Sequence, residues 1–141
     1  MKFDMDLSTF LSKHNVLAIV GATQNKDKYG YKVFKALLNE GYKVIPINPN
    51  YSSIEGVKCY AKLSDVKTHI DVVITIVPPN ITARIIEQVK QLGLKNVWMQ
   101  PGSEDKNCIE LCKKYKLNCM YNMCFVVDGL SKDLDMLVFK T

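Results

Sequence analysis

The polar stretch between Gly21 and Gly30 contains the residues best suited to binding a charged ligand. Gly21 ends an apolar run and can turn the chain sharply beside a ligand, and Gly30 stands where a helix can begin close to a sheet. Backbone N–H groups and the hydroxyl of Thr23 would hold phosphate oxygens at the start of that helix. Lys26 and Lys28 add positive charge. The stretch predicts a phosphate-binding loop; the alternative is a polar loop that is simply exposed.

Two missing motifs narrow the choice of nucleotide. The GxGxxG spacing of NAD sites is absent, and Ile47, Asn48 and Pro49 stand where an NAD-binding protein has an acidic residue for the ribose. The GxxxxGKS or GxxxxGKT motif of P-loop proteins is absent as well. The sequence therefore disfavours NAD and disfavours ATP bound on a P-loop.

The cysteines do not form a metal-binding pattern. Cys108 and Cys112 lie four positions apart on a predicted helix and are expected to face the core. Cys119 and Cys124 lie five positions apart with no histidine nearby, which fits no common zinc spacing. We expect no metal site. Cys124 follows the last predicted strand, so its thiol is a candidate contact for a ligand at that edge of the sheet.

No catalytic residue can be assigned from the sequence. The two histidines are His14 and His69, and both are expected at the amino edge of the sheet, away from the loop that Gly21 opens. Neither can be paired with a nucleophile. We therefore expect the chain to have no catalytic activity by itself.

Five short apolar runs predict buried strands that alternate with amphipathic helices. The runs cover residues 16–20, 43–47, 71–77, 96–100 and 117–121. Helical periodicity appears between the first two predicted strands, in a stripe that ends at Gly41. It appears again from an N-cap at Asn80 to Gly93 and over residues 103–116. Shorter helices are expected over residues 7–14 and 130–137.

This alternation is typical of right-handed strand–helix–strand units, which build a parallel sheet covered by helices on both faces. We expect an α/β, Rossmann-like fold with an open parallel five-stranded sheet in the order 3-2-1-4-5. Ligands of such sheets bind beyond the carboxyl ends of the strands, where the strand order reverses. In the expected order that point lies between strands one and four. Residues 21–30 should then face Pro101 and Gly102.

The composition is that of one globular domain over residues 1–141, with 48% hydrophobic and 23% charged residues. No segment approaches the roughly 18 apolar residues of a membrane span, and the start of the chain lacks an apolar run. With an odd number of cysteines, we expect a cytoplasmic protein with reduced thiols and no membrane contact. The net charge of +5 is compatible with nucleic-acid binding, but the lysines are scattered and Arg84 is the one arginine, so we expect an anionic small ligand and no nucleic acid.

Short motifs are spaced along almost the whole chain. They are VGAT at 20–23, KYGYKV at 28–33, INP at 47–49, IEG at 54–56, VPP at 77–79, VWMQPG at 97–102, and Cys124. In this order they resemble the CoA-binding domain family, which includes small stand-alone proteins and the N-terminal domain of the succinyl-CoA synthetase alpha subunit. The resemblance implies coenzyme A as the ligand.

The resemblance also implies which residues form the site. Residues 21–26 would hold the pyrophosphate, residues 77–79 would form an apolar ledge beside the adenine, and residues 99–102 would close the site. Two prolines after a strand form a rigid apolar surface, or else they only end the strand. With their neighbours, the implied cofactor-binding residues are Gly21, Ala22, Thr23, Gln24, Asn25, Lys26, Lys28, Tyr29, Gly30, Asn48, Pro49, Val77, Pro78, Pro79, Met99, Gln100, Pro101 and Gly102.

The chain departs from the family pattern at two places. Many relatives have a lysine after the Asn-Pro pair, suited to the 3′-phosphate, where this chain has Asn50 and Tyr51. Relatives usually show a basic and an acidic residue after the C-terminal cysteine, where this chain continues with Phe125 and Val126. The resemblance therefore assigns no residue to the 3′-phosphate.

We expect the chain to bind coenzyme A or an acyl-CoA as a non-catalytic binding, carrier or sensor module. The catalytic histidine of the synthetase belongs to a different domain, so the resemblance does not extend to catalysis. The alternative is an oxidoreductase or redox sensor that binds a dinucleotide such as NAD in the same crevice. A third reading is an interaction subunit whose site is vestigial. A protein partner is left open.

Overall fold

A computed structural model describes residues 7–130. The strands are β1 Val16–Val20, β2 Lys43–Ile47, β3 Ser53–Ile54, β4 Val57–Lys58, β5 Val72–Thr75, β6 Asn96–Met99 and β7 Asn118–Met120. The α-helices are α1 Leu7–Leu11, α2 Tyr29–Asn39, α3 Pro79–Gln91 and α4 Lys106–Lys114. A 3₁₀-helix spans Leu63–Asp65 and a π-helix spans Phe125–Gly129. Apart from Leu130, the closing helix expected over residues 130–137 lies outside the described residues.

Five of the strands form one parallel sheet in the order β2-β1-β5-β6-β7, and β3 and β4 form a separate antiparallel hairpin. The expected α/β, Rossmann-like fold is therefore confirmed, but the expected strand order is wrong. Counted over the five predicted strands, the order is 2-1-3-4-5 instead of 3-2-1-4-5. The third predicted strand, β5, pairs directly with β1, with Leu17 opposite Val72 and Val20 opposite Thr75.

Pro46 explains why β2 lies at the edge of the sheet. Proline has no N–H to donate and is confined to edge strands or strand ends. The carbonyl oxygen of Pro46 accepts a hydrogen bond from the N–H of Tyr60 at 3.0 Å, on the side of β2 away from β1. The expected order had placed this strand in the interior, where the missing donor would interrupt a ladder of hydrogen bonds.

Alternate residues of the central strand β1 point to opposite faces of the sheet. Leu17 and Ile19 join an apolar cluster formed with α1, α2 and the π-helix. Ala18 and Val20 join a second cluster formed with α3 and α4. Helices therefore cover both faces, as expected, and β1 is fully enclosed between them.

A proline at the start of α3 and a capping aspartate before α4 determine where these two helices begin. Pro79 is the first residue of α3, with Pro78 in the cap position, because the fixed φ of proline suits the first helical turn. The expected N-cap at Asn80 is therefore wrong by two positions. In α4 the carboxylate of Asp105 caps the helix by accepting the N–H of Cys108 at 2.9 Å.

The cysteines differ from the expectation that all five are reduced. Cys112 and Cys119 form a disulfide between α4 and β7. The turn between these elements brings their Cα atoms to 6.5 Å, within the range that a disulfide spans. Cys59, Cys108 and Cys124 are free and buried.

Residues 7–130 contain no helix long and apolar enough to cross a membrane.

Candidate functional site

Two cavities open at the carboxyl ends of β1, β2 and β5, and Gly21 lines both. The first cavity, of about 320 Å³, lies between the segment after β2 and helix α3. The second cavity, of about 310 Å³, lies at the start of α2. Both lie where the order of the sheet reverses, between β1 and β5, as expected for an open parallel sheet. The second cavity is lined by Gly21, Thr23, Lys28, Tyr29, Gly30 and Ile76.

Gly21 stands at the point where the two cavities meet, and its backbone requires glycine. Its φ is +104°, and a Cβ built on it would overlap the carbonyl oxygen of Ile76. A Cβ on Gly30 would in turn overlap the carbonyl oxygen of Gly21. These two close approaches allow α2 to begin directly against the loop, so the N-terminus of α2 faces the site.

Hydrogen bonds hold the loop after β1 to the β3–β4 hairpin region. The hydroxyl groups of Thr23 and Tyr51 lie 2.9 Å apart, and the Asn25 N–H donates to the Thr23 oxygen at 3.2 Å. The side-chain amide of Gln24 donates to the carbonyl oxygen of Ser53 at 2.8 Å. These hydrogen bonds fix the conformation of the loop against the chain around the hairpin.

The two lysines of this loop are placed differently. Lys28 lines the second cavity, whereas Lys26 lines neither. Lys26 instead adds its charge to the environment of Glu55. The pKa of that carboxyl is held below its usual value, first by hydrogen bonds from Lys35 and Tyr31 and to a smaller degree by Lys26.

Asn48 connects the loop after β2 to the loop after β1. Its side-chain amide donates to the carbonyl oxygen of Ala22 at 2.8 Å, and its carbonyl Oδ1 accepts the N–H of Asn50 at 2.9 Å. Ala22 is itself fully buried. Asn48 and Pro49 both line the first cavity.

The remaining residues implied by the resemblance separate into two groups. Val77 lines the first cavity, whereas Pro78 and Pro79 start α3 and line neither cavity. Met99 is fully buried in the core below α3 and α4. Pro101 and Gly102 are exposed and line neither cavity, because the observed strand order puts β5 between β1 and β6.

Gln100 reaches the site from β6 through a buried cluster. It is fully buried, and its Nε2 donates to the phenol oxygen of Tyr29 at 2.8 Å and to the sulfur of Cys124 at 3.3 Å. Tyr29 donates its hydroxyl hydrogen to the same sulfur at 3.0 Å. Because Tyr29 also lines the second cavity, this cluster adjoins that cavity.

The partly exposed phenol of Tyr29 stays protonated at neutral pH. Burial raises the pKa of Tyr29 well above its ordinary value, and the hydrogen bond to Cys124 raises it further. The phenol is therefore protonated at neutral pH and acts as a donor. The N–H of Val127 also points to the Cys124 sulfur at 3.4 Å, and the Cys124 N–H is held by Asp128 at 2.7 Å.

Several wall residues of the first cavity escaped the sequence analysis. They come from the loop after β2, from the segment that follows the β3–β4 hairpin and from the face of α3 that contacts the cavity. The helical spacing of Ile81 and Ile85 indicated a face that packs on the core, but not a cavity. The residues after Tyr60 reach the wall because Tyr60 pairs with β2, and nothing in the sequence indicates that pairing. The wall residues concerned are Asn50, Ala61, Lys62, Leu63, Ile81, Ile85 and Gln88.

Comparisons with known proteins agree with this architecture. A family model described as CoA binding domain matches residues 15–129. An ADP-forming acetate–CoA ligase of Methanocaldococcus jannaschii is 33% identical over 76% of this chain, and this chain spans 15% of its length. A conserved hypothetical protein of Pyrococcus furiosus has 34% sequence identity and a TM-score of 0.77, with 79% of this chain and 96% of that chain covered.

A second solved structure has a similar fold over more of the chain. It is a hypothetical protein of Pyrococcus horikoshii OT3, with 30% identity, a TM-score of 0.83, and coverage of 89% of this chain and 88% of that chain. The family match covers every strand of the sheet and the whole of both cavities' walls. The chain belongs to the CoA binding domain family.

Proposed function

We propose that this chain binds coenzyme A or an acyl-CoA and serves as a binding, carrier or sensor module without catalytic activity of its own. The observation that carries the proposal is the meeting of two cavities at Gly21. A single ligand that fills both cavities must be long and must bend around the turn at Gly21. Coenzyme A has that form, with an adenosine, a central diphosphate and a pantetheine arm that ends in a thiol.

The chemistry of the site suits each part of this ligand. Leu63, Val77 and Ile81 give the first cavity an apolar wall of the kind that accepts a purine. The diphosphate would lie at Gly21, where the N-terminus of α2 favours negative charge. The pantetheine arm would enter the second cavity and reach Tyr29 and the neighbouring Cys124.

The same cavity disfavours the alternative, a dinucleotide such as NAD. No acidic side chain is found among the described residues that line the first cavity. An NAD site needs such a carboxylate for the ribose hydroxyls. Asn48, which follows β2, already uses its amide to hold the carbonyl oxygen of Ala22.

The proposal stops at binding because the chain spans 15% of the length of the acetate–CoA ligase that it resembles. Activation of an acid would need a phosphate-donor site and a catalytic group in addition to the coenzyme A site, and we assign neither to the two cavities. A larger protein that supplies those groups would be a partner for this module.

Thermal unfolding in the presence of coenzyme A or NAD tests the proposal. A ligand that binds only the folded chain stabilises it by about 2.7 kcal/mol at a hundredfold excess over Kd, so coenzyme A should raise Tm and NAD should not. Equal shifts would exclude the preference for coenzyme A. No shift with either nucleotide, and no coenzyme A in the mass spectrum of the gently purified protein, would favour a vestigial site.

A further inference from the structure

The first cavity has a simple distribution of charge. Among the described residues that line it, Lys62 is the one with an ionised side chain at neutral pH, and the other polar side chains are the amides of Asn48, Asn50 and Gln88. The rest of the wall is apolar or consists of glycine and proline. An anionic group on a ligand in this cavity would therefore have a single cationic partner.

The backbone at Lys62 is anchored on both sides. Two residues earlier, Tyr60 pairs with the outer edge of β2, donating its N–H to Pro46 at 3.0 Å and accepting the N–H of Asn48 at 2.9 Å. The next residue, Leu63, is only 1% exposed and begins the 3₁₀-helix. Lys62 is thus a fixed feature of the cavity rim, although its side chain is exposed.

The charge of Lys62 is not already neutralised. Within residues 7–130 no carboxylate forms an ion pair with it. By contrast, Lys35 pairs with Glu55 at 2.9 Å and Lys13 pairs with Glu40 at 3.1 Å. Lys62 is therefore free to bind an anion that enters the cavity.

Resting on the proposed function, we infer that Lys62 binds the 3′-phosphate of coenzyme A and that the chain thereby distinguishes coenzyme A from 3′-dephospho-coenzyme A. The adenosine occupies the first cavity and the diphosphate lies at Gly21. The ribose phosphate is then the anionic group left for the rim of this cavity. Asn50, which lines the same cavity, has an uncharged amide and cannot replace the lysine.

Isothermal titration of the full chain with both nucleotides tests the inference. The wild-type protein should bind coenzyme A about tenfold more tightly than 3′-dephospho-coenzyme A, because a charge-assisted bond at an exposed rim has a moderate effect. Lys62→Met keeps the apolar stem and removes the charge. It should remove this tenfold preference and leave the affinity for 3′-dephospho-coenzyme A within about twofold.

Two further variants complete the experiment. Lys67→Met removes the same charge from an exposed lysine nearby that lines neither cavity, and it should keep the tenfold preference. Lys62→Arg should keep most of it, because a guanidinium also binds phosphate.

The outcomes separate the inference from the proposed function. Equal affinities of the wild-type protein for both nucleotides would overturn the inference and leave the proposed function standing. An equal loss of both affinities in Lys62→Met would assign Lys62 to the diphosphate and also overturn it. Binding of neither nucleotide to the wild-type protein would overturn the proposed function itself.

Discussion

The phenol of Tyr29 donates a hydrogen bond to the sulfur of Cys124 at 3.0 Å, although the two residues lie 95 positions apart in the chain. The bond connects the first residue of α2, at the rim of the second cavity, with the residue that caps the π-helix. Gln100 and Val127 direct their N–H groups to the same sulfur. A thiol is thus held by three donors beside the cavity that we assign to the pantetheine arm.

This placement leads us to expect a mixed disulfide between Cys124 and coenzyme A. With coenzyme A disulfide as the oxidant, the Cys124 thiolate attacks one sulfur of the disulfide, forms the protein–coenzyme A bond and releases one reduced coenzyme A. Intact-mass analysis followed by peptide mapping should find one adduct, on Cys124. Glutathione disulfide, which lacks the nucleotide, should react much more slowly.

The other free thiols are poor competitors for this reaction. Burial and a hydrogen bond to Asp105 raise the pKa of Cys108 to about 11, and burial raises the pKa of Cys59. Few of these groups are thiolates at neutral pH, and the thiolate is the nucleophile. The Cys124→Ser variant should therefore form no adduct, and an adduct of unchanged yield in that variant would refute the assignment.

Lys28 should contribute more to coenzyme A binding than Lys26 does. Lys28 lines the second cavity, whereas Lys26 acts on Glu55. We expect Lys28→Ala to weaken binding by about 0.5–1.5 kcal/mol and to flatten the salt dependence, because screening acts on the lost charge. Lys26→Ala, with the same change in net charge, should have a smaller effect. Titrations at two salt concentrations measure both quantities, and equal effects would mean that only the overall charge matters.

The sequence was sufficient to locate the five strands of the parallel sheet but not to order them. The continuous apolar runs at β1 and β2 have the predicted bounds, because a strand buried on both faces reads as an unbroken apolar segment. Pro46 contained the missing information about order, since a proline in that strand requires an edge position. Because the expected order placed strand four beside strand one, Pro101 and Gly102 were assigned to the site and Ile76, which lines the second cavity, was not.

The wall that contains Lys62 could not have been predicted from periodicity. Strands β3 and β4 have two residues each, too few for an alternating pattern. The turn between them, Glu55 and Gly56, has positive φ at both residues, which is the one local signal of a hairpin. The pairing of Tyr60 with β2 is a tertiary contact, so the approach of Lys62 to the cavity appears only in the folded chain.

Gly21 should be required for the stability of the fold as well as for the ligand. In Gly21→Ala the Cβ adds an overlap with the Ile76 carbonyl to the strain of a positive φ. We expect a loss of at least about 3 kcal/mol in the free energy of unfolding, without ligand. Gly41→Ala is the matched control, because Gly41 has φ +93° and nothing within 4 Å of a built Cβ. It should cost about 1–2 kcal/mol. Equal losses in urea unfolding would contradict the steric argument.

Because of Glu55, the free energy of unfolding of the chain should decrease at acidic pH. Its pKa is lowered in the folded state by Lys35 and Tyr31, so its contribution is present above the unfolded pKa of about 4.3 and is lost as pH falls through the folded value. Wild-type protein should exceed Glu55→Gln in stability at pH 7, and the difference should shrink below about pH 4. Glu110→Gln, at an exposed carboxylate without an ion pair within residues 7–130, serves as the control in urea unfolding at both pH values.

Gln100 gives the buried cluster a direction. Its Oε1 accepts the N–H of Phe125 at 2.7 Å, which turns Nε2 toward Tyr29 and Cys124. An amide nitrogen can only donate, so the Tyr29 oxygen accepts a hydrogen bond from Gln100. The Tyr29 hydroxyl in turn donates a hydrogen bond to the sulfur of Cys124. The hydrogen bonds therefore run one way and terminate on Cys124. A single backbone amide at the start of the π-helix therefore sets the direction in which the donors of this cluster point, toward the sulfur of Cys124.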